Sequence, residues 1–94
     1  MIAIQTRTDT HEIEILTDED GGRTYLRVVM FSPFRTLRCD EEFPNARMAS
    51  AVLRDEVGLG PAKEMLDMGG LPRTHALWDL NHSDLWEPEN GPVP

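Results

Sequence analysis

His75, Asp79 and His82 stand at i, i+4 and i+7 in the chain. On an α-helix advancing about 100° per residue, that spacing gathers two imidazoles and a carboxylate within about 60° of one another. Such a set is chemically competent to ligate a divalent metal. The three residues belong to HALWDLNHSDLWEP, residues 75–88, which also holds both tryptophans, Trp78 and Trp86. The competing reading makes them polar residues on the wet side of a helix that packs inward through Leu77 and Leu80, with Ser83 breaking the face before the third ligand. Neither Glu-x-x-His nor His-Glu-x-x-His accompanies them, and the bare spacing has little specificity. The expectation is therefore no metal and no cofactor, with His75, Asp79 and His82 as the metal-binding alternative.

Tryptophan in a small domain ordinarily fills the core. Trp86, however, adjoins Glu87 and Pro88 at the start of EPENGPVP, where packing partners are scarce. An aromatic side chain flanked by acids and proline suits a docking anchor.

Catalytic patterns are lacking elsewhere. GGR and GLGP have neither the lysine nor the spacing of a phosphate-binding loop. Ser32, Ser50 and Ser83 sit in no nucleophile-elbow context. Cys39 is the single cysteine, so it can form no disulfide within the chain and no thiolate zinc cluster. On the apolar face of a strand it reads as an inert core thiol. The chain is expected not to be an enzyme.

The charged residues carry more information. Seventeen acids against nine bases give a net charge of −8, which favours basic partners and opposes contact with nucleic acid or anionic lipid. The acids cluster at Asp18, Glu19 and Asp20, at Asp40, Glu41 and Glu42, and at Asp79, Asp84, Glu87 and Glu89, while Arg23, Arg27, Arg35 and Arg38 occupy a stretch free of acids. This layout implies a neutralised sheet face with acidic edges. Clustered acids are commonly just a solvated surface, but they also suit a basic groove that otherwise receives phosphates. The residues expected to meet such a protein partner are Asp18, Glu19, Asp20, Asp79, Asp84, Trp86, Glu87 and Glu89. A stacking platform for single-stranded nucleic acid from Tyr25, Arg27, Phe31, Phe34 and Arg38 is the weaker alternative, because Glu12 and Glu14 share that face.

The elements that must position these groups follow from periodicity. HEIEILT and TYLRVVMF alternate with period two around DEDGGR, a turn in which Gly21 and Gly22 can take positive φ. Paired as a hairpin, they set Ile15 beside Leu26, Ile13 beside Val28 and Glu14 opposite Arg27, so register, apolar face and charge agree. Ile2 and Ile4 mark an edge strand ahead of a turn at Thr8–Thr10. Phe34 to Cys39 forms another strand, with Leu37 and Cys39 sharing one face. From Asn45, an N-cap, the pattern becomes helical over Ala46–Val57 and stops at Gly58. Pro61 opens a shorter helix to about Met68, and Thr74 caps a third to about Asn81. The fold expected is α+β: a four-stranded, mostly antiparallel sheet over about residues 2–39, then two or three short helices on one face. Residues 1–87 are expected to form a single domain and 88–94 a proline-rich extended tail.

A chain of this size with 39% hydrophobic residues can fold without a metal or disulfide. MIAIQTRTD resembles no signal peptide, and no run approaches the roughly 18 apolar residues of a membrane span. A cytoplasmic protein that does not bind a membrane is expected.

In size, acidity, strand-then-helix layout and lack of catalytic patterns, the chain resembles small phage-encoded inhibitors of host defence of the anti-CRISPR kind. The resemblance is one of general character and rests on no motif. It implies a stoichiometric inhibitor that binds a basic surface of a nucleic-acid-targeting complex, and it transfers no site residues.

Overall fold

The computed structural model describes residues 1–81. Its centre is the hairpin of β2 (His11–Thr17) and β3 (Thr24–Met30), in which Ile15 faces Leu26, Ile13 faces Val28 and Glu14 faces Arg27. β1 (Ile2–Arg7) pairs antiparallel with the far side of β2, and β4 (Thr36–Phe43) with the far side of β3. The sheet is thus an antiparallel meander of order β1-β2-β3-β4. Alternation gives it one apolar face of Ile4, Ile13, Ile15, Leu26 and Val28, all buried.

Both helices lie on that face. α1 (Ala46–Val57) begins where the Asn45 side chain accepts the Met48 N–H at 2.9 Å and ends at Gly58, whose N–H donates to the Arg54 carbonyl. Its buried stripe includes Ala46, Ala49, Leu53 and Val57. α2 (Leu59–Met68) turns in Ala62, Met65 and Leu66. It starts two residues before Pro61, which remains tolerable because the first four amides of a helix lack an intrahelical acceptor. At the end of α2, a Cβ on Gly69 would stand 2.5 Å from Cγ2 of Ile4. The absence of a side chain there lets the helix end rest on β1.

Two expectations about β4 are corrected. The strand runs to Phe43 and carries Asp40, Glu41 and Glu42 inside the sheet, so the sheet covers residues 2–43. As an edge strand it keeps these carboxylates in water, and of its residues Phe43 alone is buried. Leu37 and Cys39 do not share a face: Cys39 pairs with Val28, Leu37 pairs with Val29, and Arg38 is left over as a bulge. Cys39 keeps to the helix-covered side, while Leu37 emerges 55% exposed on the open side.

The third helix is a 3-10 helix, Ala76–Asn81, kinked at Asp79. It seats Leu77 and Leu80 in the core. No helix among the described residues is long and apolar enough to cross a membrane. The expected boundary at residue 87 and the tail 88–94 lie outside the described residues.

Candidate functional site

The acidic turn between β2 and β3 is built to hold its shape. Gly21 adopts φ +82°, its N–H donates to the Asp18 carbonyl at 3.0 Å, and the Asp20 carboxylate accepts the Gly22 N–H at 3.0 Å. Below the turn, the hydroxyls of Thr17 and Thr24 meet at 2.7 Å in full burial. Two other elements grip it. The Gly21 carbonyl accepts the Ala46 N–H at the start of α1, 2.9 Å away, and the Asp18 carbonyl meets Nε2 of His75 at 2.8 Å. Glu19 and Asp20 stay exposed, and Glu19 reaches the N-terminal ammonium at 3.3 Å.

His75 is therefore a buried structural residue and not part of a wet helical face. Its Nδ1 accepts the Leu77 N–H at 3.1 Å, which leaves Nε2 to carry the proton and donate to Asp18. This imidazole also replaces Thr74 as the side chain that caps the 3-10 helix. A wheel of 3.6 residues per turn does not apply to a kinked 3-10 segment. Asp79 instead points to α1, where its carboxylate accepts from Arg47 Nε at 2.8 Å. The metal set is thus not brought together by His75 and Asp79; His82 lies outside the described residues. Among the described residues, no three His, Cys, Asp or Glu side chains gather for a metal ion.

Trp78 is half-buried against the core. Its indole N–H donates to the Leu71 carbonyl at 3.1 Å, and the Arg73 guanidinium stacks 4.3 Å from its ring centre. Of the residues expected to meet a partner, Asp18, Glu19, Asp20 and Asp79 are placed by the structure. Asp84, Trp86, Glu87 and Glu89 lie outside the described residues.

The open face of the sheet is charge-matched. Arg27 reaches Glu14 and Arg35 reaches Glu12 at 3.5 Å, Arg23 reaches Glu42 at 3.1 Å, and the Tyr25 hydroxyl donates to Asp40. That hydrogen bond, with some burial and the Asp40 charge, raises the Tyr25 phenol above its usual range. Burial raises the Cys39 thiol as well, with Glu41, Glu56 and Asp40 adding to the effect. Phe31 lies under the guanidinium groups of Arg7 and Arg35 at 4.8 and 5.6 Å.

The expected stacking platform is not one surface. Arg38, on the bulge, turns to Glu56 of α1 at 3.0 Å, and Arg27 is held by Glu14. In place of a platform, Tyr25, Arg27, Val29, Arg35, Leu37 and Asp40 surround an open depression of about 540 Å³. Sequence reasoning missed this feature because alternation alone sends Leu37 inward. No family model, no curated protein and no solved structure matches the chain.

Proposed function

We propose that the chain is a small, non-catalytic protein-binding module that sets a carboxylate surface against a basic surface of a partner protein that handles nucleic acid. The observation that carries this reading is the acidic turn, whose backbone is bound to the start of α1 and to His75 while Glu19 and Asp20 face water. Carboxylates on a fixed backbone lose little freedom when lysines or arginines close on them, which favours affinity, and their charge speeds encounter. The net charge of −8 acts in the same direction. Asp84, Trp86, Glu87 and Glu89 belong to the proposed surface by sequence. The resemblance to small phage inhibitors suggests the partner class: a host defence complex whose basic groove otherwise takes phosphates.

The test is capture of the partner from the native host, followed by titration of the purified pair. Binding should weaken steeply with added salt. It should fall by about tenfold or more when Asp18→Asn, Glu19→Gln and Asp20→Asn are combined, changes that remove charge and keep the turn's acceptors. Salt-independent binding, or an unaffected triple variant, would overturn the reading.

A further inference from the structure

We propose that the outer edge of β4 is a strand-addition site for an extended, basic segment of the partner. The inference rests on the protein-binding reading above and names how that partner docks.

The backbone directions follow from the ladder. Asp18 N–H donates to the Arg23 carbonyl and Phe31 N–H to the Thr10 carbonyl, so the odd-numbered residues of β3 aim their amides at β2. The even-numbered ones, Leu26 and Val28, aim at β4, where their partners are Glu41 and Cys39. Asp40 and Glu42, opposite Arg27 and Tyr25, consequently turn their N–H and C=O groups away from the sheet. No described residue pairs with that edge. The other edge strand, β1, is attended by α2, where Thr6 Oγ1 donates to the Met65 carbonyl and Ile4 underlies Gly69.

Charge decides the occupant. An antiparallel second copy that used these outward groups must set Asp40 against Asp40 or Glu42, or Glu42 against itself, and like charges directly opposite repel. Lysine or arginine in an incoming strand meets opposite charge at the same positions. Those same side chains lie on the open face beside the depression, where their aliphatic stems can rest on Leu37 and Val29, while the intervening residues of the incoming strand fall on the opposite face with Cys39 and Phe43. The bulge at Arg38 limits the useful edge to the segment after it. That segment ends at the same end of the sheet as the acidic turn, since Thr24 pairs with Phe43 and Arg23 bridges to Glu42.

A defined probe tests this: a blocked hexapeptide of alternating lysine and valine, titrated into ¹⁵N-labelled full-length chain, with a glutamate–valine peptide as control. The expected result is that the Asp40 and Glu42 amides shift most and exchange more slowly with solvent, and that the control peptide leaves them unchanged. Glu42→Pro removes one outward N–H and no ladder bond; it should weaken the lysine peptide about tenfold with the rest of the spectrum retained. Glu42→Gln, which keeps the N–H, should weaken it less. If the lysine peptide shifts only Asp18–Asp20, or binds Glu42→Pro as well as the parent, the edge site is overturned and the acidic-surface reading stands. No binding of the lysine peptide anywhere, or concentration-dependent self-pairing at β4, overturns the edge site; failure of the salt and turn-variant tests on the purified pair overturns the functional reading itself.

Discussion

Nε2 of His75 lies 2.8 Å from the carbonyl oxygen of Asp18, across a sequence separation of 57 residues. That contact ties the turn of the central hairpin to the 3-10 helix, and the second ring nitrogen spends itself on the Leu77 N–H. A side chain that resembles a metal ligand in sequence thus has both nitrogens committed to backbone groups. Replacing His75 with alanine removes two hydrogen bonds and leaves a gap beneath the turn, so denaturant unfolding should show a loss of about 2–4 kcal/mol. The ring's ¹⁵N shifts should identify the Nε2–H tautomer, and an Nδ1–H tautomer contradicts this geometry.

The hydroxyl pair of Thr17 and Thr24 sits under the same turn. Thr24 also donates to the Gly22 carbonyl at 2.9 Å, so the two side chains form a short relay in full burial. Thr24→Val leaves the buried Thr17 hydroxyl with only its longer bond to the Asp18 carbonyl, 3.3 Å away, and should cost about 1–2 kcal/mol. Adding Thr17→Val removes that poorly satisfied hydroxyl. A double-mutant cycle should show the pair costing clearly less than the sum of the single changes, and strict additivity counts against the relay.

Tyr25 is the only tyrosine, so its titration can be followed by ultraviolet absorbance without overlap from a second phenol. Its pKa is raised, chiefly by donation to Asp40. A raised folded-state value means that the tyrosinate is disfavoured in the native protein; this contribution to stability is intact below the ordinary phenol range and is lost as pH climbs through the folded value. Asp40→Asn should move the transition down towards that of a free tyrosine. An unchanged midpoint removes Asp40 as the cause.

Cys39 follows the same sign. Burial and neighbouring carboxylates raise its thiol pKa, so near neutral pH it should react with a chromogenic disulfide more slowly than a small free thiol. The rate should climb as pH rises past the ordinary thiol range and should jump on unfolding in urea. Rapid reaction at neutral pH would place the sulfur outside the sheet–helix contact described for it.

What the sequence made legible was local chemistry. Asn45 and Gly58 bound α1 because a cap is made by the residue itself and its nearest amides. The Glu14–Arg27 pair fixed the hairpin register because apolar alternation and charge select one alignment. The bulge at Arg38 could not be read, since an extra residue is a property of two strands together and leaves the pattern of one unaltered. Nor could the burial of His75, whose reason is a carbonyl 57 residues away in the chain. Asp79 failed similarly: its partner, Arg47, lies on another helix, and the 3-10 backbone rotates it away from the predicted face.

The last prediction sets stability against binding. Asp18, Glu19 and Asp20 are adjacent like charges on a gripped turn, and the ion pair between Glu19 and the N-terminal ammonium is solvent-exposed. Exposed pairs are worth about 0–1 kcal/mol and are screened by salt, so they offset little of the repulsion. Asp20→Asn keeps the oxygen that accepts the Gly22 N–H. The combined Asp18→Asn, Glu19→Gln, Asp20→Asn variant should therefore unfold at an equal or higher temperature than the parent, by up to about 1 kcal/mol of added stability. Added salt should raise the parent's melting temperature more than the variant's, because salt screens a repulsion that the variant lacks. A variant that melts lower, with the same salt response as the parent, would show that these carboxylates hold the turn together and would withdraw the argument that they are kept for a partner.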